Sequence, residues 1–86
     1  MKERELNKEW ILFHLKEGLE ELTRTIADLE SDKDYTEVEF HIAMAHLYNH
    51  LNTAWNSRCE EPAEVSAVSE DNFYKWRAFP LDIPMD

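Results

Sequence analysis

The stretch "LFHLKEGLEELTRTIADL", residues 12 to 29, decides the fold, because its apolar side chains recur at alternating spacings of three and four. That spacing places them along one side of an α-helix and is typical of a narrow seam that packs against another helix. The seam consists of Leu12, Leu15, Leu19, Leu22, Ile26 and Leu29. Gly18 lies beside it, where a missing side chain would let a neighbour approach closely. We predict a first helix over about residues 3–30.

A second apolar pattern of the same period follows a short polar segment. Its members are Phe40, Ala43, Met44, Leu47, Leu51, Ala54 and Trp55. Asp34 has the form of a capping-box residue at the start of a helix, and Thr36 offers an alternative start two residues later. We predict a turn over about 31–34 and a second helix over about 35–58. Two helices joined so closely fold back as an antiparallel hairpin, which makes the fold all-α.

The remaining segment, 59–86, changes character, because all three prolines of the chain lie in it. We predict an irregular aromatic tail in which Ser69 caps a short helical turn. Its large apolar side chains are Phe73, Trp76, Phe79, Leu81 and Ile83, too many for a purely solvated linker. We expect the tail to pack on a second apolar stripe of the first helix, on its own chain or on a partner's. That stripe consists of Leu6, Trp10 and Phe13.

Length and composition limit the classes of protein to which this chain can belong. The 86 residues form a single domain, 1–86, and the one cysteine, Cys59, excludes an intrachain disulfide. An unpaired thiol is typical of the reducing cytoplasm, which is the location we expect. Nineteen acidic and nine basic residues give a net charge of −10, which repels nucleic acid. The longest apolar run is far shorter than the ~20 residues that span a bilayer, so we expect no membrane association.

A lone two-helix hairpin buries one seam and leaves its flanks in water. Two hairpins related by a twofold axis bury both, so we predict a homodimer with the architecture of a four-helix bundle. The alternative is a monomer in which the tail forms a third layer. A further alternative partner is another protein, held by the tail through Phe73, Trp76 and Phe79.

Three of the four histidines lie in "HIAMAHLYNHLNTAWNSR", residues 41 to 58. A helix advances about 100° per residue, which places His46 and His50 on one flank of the second helix and His41 on the opposite one. When two helices pack antiparallel, the flanks that lie to the same hand of the contact on each helix line the same groove. If the chain turns near residues 32 and 33, His14 comes level with residue 51, one position from His50, and Glu21 lies within about a turn of His46. We expect His14, His46, His50 and Glu21 to converge beside Gly18.

Three imidazoles and a carboxylate suit a divalent metal such as zinc or iron, with a position left open for water. The metal site is the alternative interpretation; in the leading one, the same side chains only form hydrogen bonds across the hairpin or the dimer edge, and no cofactor is bound. The chain contains no recognised catalytic motif. The leading hypothesis is therefore a small, non-enzymatic interaction or accessory protein. The second is a metal-binding helical bundle with hydrolytic or redox activity.

Overall fold

The structure is a computed structural model that describes residues 4–62, 65 and 70–80. Three helices are present in these residues: α1 (Lys8–Ser31), α2 (Glu37–Asn56) and α3 (Glu70–Arg77). The described chain contains no strand, and α1 and α2 pack against each other along their length. The prediction of an all-α helical hairpin is therefore confirmed. None of the helices in this part of the chain is long and apolar enough to cross a membrane.

Helix α1 begins five residues later than predicted. Asn7 is its N-cap, and the side-chain oxygen of Asn7 accepts a hydrogen bond from the amide of Trp10 at 3.2 Å. The backbone amide of Asn7 donates to the carbonyl of Arg58 at 2.7 Å, just beyond the end of α2. Because this amide bonds to Arg58, the segment before it lies against residues 59–62, beyond the end of α2, and does not extend α1.

The turn between the helices uses the alternative cap. The hydroxyl of Thr36 accepts from the amide of Glu39 at 3.2 Å, which makes Thr36 the N-cap of α2. Asp34 instead donates its backbone amide to the carboxylate of Asp32 at 2.9 Å, within a turn closed by that side chain. The prediction that Asp34 is the N-cap of α2 is therefore wrong, and the alternative, Thr36, is confirmed.

The apolar seam of α1 does not face α2. The side of α1 that is buried against its neighbours carries His14, Gly18 and Thr25. The six seam residues, Leu12 to Leu29, stay 41–62 % exposed. The expectation that this seam packs within the hairpin is wrong, because the side of α1 that carries Gly18 faces α2 instead. A Cβ atom built on Gly18 would lie 3.5 Å from Cδ1 of Leu47.

Helix α2 repeats this arrangement. Ala43 and Ala54 are buried, whereas Phe40 and Leu51, which belong to the same predicted seam, are exposed. On each helix the exposed residues of the predicted seam lie about a quarter turn to the same hand of the buried contact, so in an antiparallel pair they share one side of the hairpin. We call this surface the leucine face; it consists of Leu12, Leu15, Leu19, Leu22, Ile26, Leu29, Phe40 and Leu51.

Helix α3 covers part of the opposite side of the hairpin. The tail is thus more regular than predicted, and it packs mainly on α2 of its own chain. Its anchor is Trp76, which is 3 % exposed and lies with its ring centroid 6.2 Å from that of Trp10. Leu6 and Phe13, the other members of the predicted receiving stripe, remain exposed. Of the three residues of that stripe, Trp10 is the one that packs against Trp76 in the described part of the chain.

The remaining predictions for the tail have mixed outcomes. Trp76 is buried in its own chain, while Phe73 and Phe79 are 42 % and 60 % exposed. Docking of another protein through these residues stays a prediction. Ser69, as well as Leu81 and Ile83, lies outside the described residues.

Candidate functional site beneath helix α3

The predicted site residues form two pairs along the groove between α1 and α2. Nδ1 of His14 lies 3.0 Å from Nδ1 of His50. Oε2 of Glu21 lies 3.9 Å from Nδ1 of His46. Gly18 lies between the pairs in sequence, and a Cβ atom on it would be 3.9 Å from Cβ of His50. The groove therefore brings together the partners that the hairpin register predicted.

His14 is enclosed, with 9 % of its surface exposed. The rings of Trp10 and Phe13 meet it edge-on, with centroids 4.4 and 5.1 Å away. Burial, followed by the proximity of His50, lowers the pKa of His14 from 6.5 to about 4. His14 is therefore a neutral imidazole at pH 7. One nitrogen of the His14–His50 pair then donates a hydrogen bond and the other accepts it.

The second pair is open to solvent on its histidine side. The side chain of His46 is 61 % exposed, and Glu21 also accepts a hydrogen bond from Nη1 of Arg24 at 3.3 Å. Exposed ion pairs of this kind contribute little to stability. Across residues 4–62, 65 and 70–80, no three or more His, Cys, Asp or Glu side chains are grouped as a metal site would require. The metal hypothesis stays a prediction.

Two asparagines on α2 hold the C-terminal end of α3. The side-chain amide of Asn52 donates to the carbonyl of Arg77 at 3.0 Å. The side-chain amide of Asn56 donates to the carbonyls of Trp76 and Ala78, both at 2.7 Å. The last carbonyls of a helix have no partner within the helix, so these amides satisfy them. These roles were not predicted; the i,i+4 spacing of the asparagines indicates a shared face but not the acceptor.

Trp10 is fixed by a second hydrogen-bond chain. Its indole Nε1 donates to Oγ of Ser57 at 2.7 Å, and Oγ of Ser57 in turn donates to the carbonyl of Thr53. Ser57 has no exposed surface. The indole N–H therefore bonds to the end of α2. This hydrogen bond fixes the position of the Trp10 ring beneath α3.

A cavity of about 80 Å³ lies between the three helices. It is partly open to solvent and is lined by Trp10, His14, Asn49, Thr53, Phe73 and Trp76. Nε2 of His14 is buried and has no hydrogen-bond partner in the described part of the chain. Nearly all buried polar atoms in proteins have a partner, so this nitrogen is an exception to the rule. We call the cavity that these six residues line the α3 cavity.

No protein-family model matches the chain, and no curated protein or solved structure is significantly similar to it.

Proposed function

We propose that this protein is a non-enzymatic interaction protein whose first partner is a second copy of itself. Two hairpins would pack through their leucine faces and form a homodimeric four-helix bundle. The observation that carries the proposal is the exposure of this face, whose eight large apolar residues are 40–62 % exposed. Monomeric proteins rarely leave a continuous apolar surface of this length in water.

The size of the leucine face suits a dimer. It extends along most of α1, from Leu12 to Leu29, and includes Phe40 and Leu51 of α2, so it offers one extended apolar surface to a partner. The spacing of three and four along α1 also suits side chains that interdigitate with an equivalent helix. A twofold interface presents the same patch from both chains, so one self-complementary apolar face is sufficient.

The small internal core also favours a dimer. In the described residues the buried apolar side chains are Ala43, Ala54 and Trp76. Folding a chain of this length requires more buried apolar surface than two alanines and one tryptophan supply. A second copy would supply the missing core to both chains at once.

The test is the mass of the untagged chain in solution, measured by light scattering and sedimentation equilibrium from micromolar to millimolar concentration. We expect a dimer. Leu19→Glu places a charge in the middle of the leucine face, on a side chain that is 62 % exposed, and should yield monomer. Tyr74→Glu is the matched control, because Tyr74 is also exposed but lies on α3. A monomeric wild-type chain, or equal effects of the two substitutions, would contradict the proposal.

Metal binding is a second candidate function, favoured by the 3.0 Å between the Nδ1 atoms of His14 and His50. Imidazole nitrogens bind zinc at about 2.0–2.1 Å, so two nitrogens at this separation can bind one ion with small adjustments. His14 is already neutral at pH 7, so binding displaces no proton from it. His46 lies one helical turn from His50, with Glu21 beside it, and could complete the ligand set. A bound zinc with an open position would acidify a water molecule for hydrolysis.

Native mass spectrometry of protein prepared without chelator, then titrated with zinc, tests this candidate. We expect one metal per chain, and loss of uptake in His46→Ala. His41→Ala is the control, because His41 lies on the opposite flank of α2. Uptake that survives in His46→Ala, or that is absent in the wild-type chain, would reject metal binding without bearing on the dimer.

A further inference from the structure

Helix α2 carries a second open apolar surface, separate from the α3 cavity. A groove of about 460 Å³ follows the N-terminal part of the helix and is open along one side. Its aromatic members, Phe40 and Tyr48, are 42 % and 47 % exposed. The full lining consists of Glu37, Phe40, His41, Met44, Ala45 and Tyr48, none of which lines the α3 cavity. We call this surface the α2 groove.

The described chain leads directly to the α2 groove. The side-chain amides of Asn56 and Asn52 hold the backbone carbonyls of residues 76–78. The ring of Phe79, the next residue, lies against that of Tyr48, with centroids 5.9 Å apart. The contacts of the chain on α2 therefore move toward the start of the helix by about one turn at a time. The following turns along this path belong to the α2 groove.

The sequence beyond Pro80 is long enough to follow the groove. The residues 81–86 lie outside the described part of the chain. An extended backbone advances about 3.3 Å per residue, so this segment reaches about 20 Å. A helix rises 1.5 Å per residue, so Tyr48 and Glu37 are separated by about 16 Å along the axis of α2. The segment can therefore span the groove from end to end.

The pattern of this segment, "LDIPMD", is that of an extended chain with one apolar face. Side chains on an extended backbone alternate between two faces, which places Leu81, Ile83 and Met85 on the same one. The other face carries two aspartates and a proline. The prolines at positions 80 and 84 disfavour a helix and favour an extended backbone in the residue before each. One apolar side of the segment thus matches one apolar groove.

We propose that residues 81–86 dock in the α2 groove of their own chain as an extended segment, with Leu81, Ile83 and Met85 facing the helix. A volume of about 150 Å³ encloses benzene, so a groove of about 460 Å³ has room for three apolar side chains. The aspartates on the other face stay in water, so docking requires no burial of charge.

The register of the docked segment follows from the two repeats. Two residues of extended chain advance about 6.6 Å, slightly more than the 5.4 Å of a helical turn. With Phe79 placed on Tyr48, Leu81 comes level with Met44, and Ile83 comes level with Phe40. These two pairs are the contacts that an experiment can observe.

The same chain is the favoured donor of the segment. Phe79 already lies on Tyr48 of its own chain, and only Pro80 separates it from the first docking residue. So short a link gives the segment a high effective concentration at its own groove, which a second copy cannot match at ordinary protein concentrations. The proposal does not rest on the dimer, because the groove lies beside the leucine face and shares only Phe40 with it.

Nuclear Overhauser spectroscopy of the ¹³C-labelled full chain tests the proposal. We expect cross-peaks between the methyl groups of Leu81 and the methyl group of Met44, and between those of Ile83 and the ring of Phe40. The same cross-peaks should persist in Leu19→Glu, the variant expected to be monomeric. In a mixture of labelled and unlabelled chains, isotope filtering should find them within one chain and not between two.

Variants on both sides of the contact locate it. Ala45→Glu places a charge in the groove at an exposed position and should abolish the cross-peaks. Val38→Glu makes the same kind of change on α2 outside the groove, at a side chain that is 68 % exposed, and should preserve them. In the segment itself, Ile83→Ser should abolish the cross-peaks of Leu81 with Met44. Asp82→Ser, on the other face of the segment, should leave them unchanged.

Four outcomes would overturn the proposal. The absence of both sets of cross-peaks in the wild-type chain would mean that the groove does not hold the segment. Cross-peaks to Leu6 and Phe13 would place the segment on α1 instead. Cross-peaks between labelled and unlabelled chains would show that two copies exchange their segments. Equal losses in each variant and its control would mean that the apolar face does not direct the contact.

Discussion

His14 and His50 face each other across the hairpin, with their Nδ1 atoms 3.0 Å apart. Two neutral imidazoles form one hydrogen bond at this distance, since one nitrogen donates and the other accepts. If both rings were protonated, two donors and two positive charges would meet. The pair therefore joins α1 to α2 only while at least one ring is neutral, and burial makes His14 the neutral ring.

This relationship predicts that the protein loses stability in mild acid. The pKa of His14 is about 4 in the folded chain and 6.5 when the residue is unperturbed, so the unfolded state binds the proton more tightly. The contribution is complete above pH 6.5 and is lost as the pH falls toward 4. We expect a loss of about 2–3 kcal/mol in the free energy of unfolding over that range.

Urea denaturation at a fixed protein concentration, repeated at several pH values, measures this loss. Carboxylates also titrate in acid, so the informative quantity is the difference between the wild-type chain and His14→Phe. The variant should show a flatter dependence between pH 6.5 and pH 4. Identical slopes would mean that His14 titrates normally in solution.

Gly18→Ala should stabilise the protein by about 0.5–1 kcal/mol, because glycine is unfavourable inside a helix. The new Cβ atom would meet Leu47, Leu51 and His50 at 3.5–3.9 Å, which is ordinary van der Waals contact. The urea midpoint measures the gain. Ala27→Gly, at an exposed position of the same helix, is the reverse control and should cost about as much. Destabilisation by Gly18→Ala would indicate a tighter helix contact in solution.

Asn56→Asp should release α3 from α2. The substituted side chain would have no amide hydrogen to donate, and its carboxylate would face the carbonyls of Trp76 and Ala78 that Asn56 now satisfies. We expect a cost of about 1–3 kcal/mol and a red shift of tryptophan fluorescence as Trp76 enters water. Thr23→Asp introduces the same charge at an exposed position of α1 and should change neither quantity. An unshifted spectrum in Asn56→Asp would show that other contacts hold α3.

Trp76→Ala should be the most destabilising truncation in α3. Its ring is 3 % exposed, and removing a buried aromatic side chain of this size costs about 3–5 kcal/mol. Phe79→Ala removes a ring that is 60 % exposed and should cost less than about 1 kcal/mol. Thermal unfolding of the two variants at equal concentration provides the comparison. Similar losses would mean that α3 is not docked through Trp76.

Several relationships within the hairpin were predictable from the sequence. The helical periodicity and the short polar turn predicted α1, α2 and their antiparallel packing. The position of the turn also determines which residues of α1 and α2 lie opposite each other. His14 could therefore be matched with His50, and Glu21 with His46. These predictions succeeded because they depend on the fixed advance of about 100° per residue and on one turn position.

The start of α1 and the partner of its apolar seam were not predictable in the same way. Residues before Lys8 have a sequence compatible with a helix, but the hydrogen bond from Asn7 to Arg58 joins residues 51 positions apart. Periodicity shows that Leu12 to Leu29 form one stripe, yet it does not indicate what covers that stripe. The leucines could have faced α2 as easily as water or a second chain.

The sequence by itself therefore determined the helices, the hairpin and the level at which the histidines meet, because these follow from local geometry. Tertiary structure alone decided that the side of α1 with Gly18 faces α2, that Asn52 and Asn56 hold α3, and that His14 is buried. Each of these depends on side chains brought together from distant parts of the chain. Their packing is decided by the free energy of the assembled contacts, which no local pattern encodes.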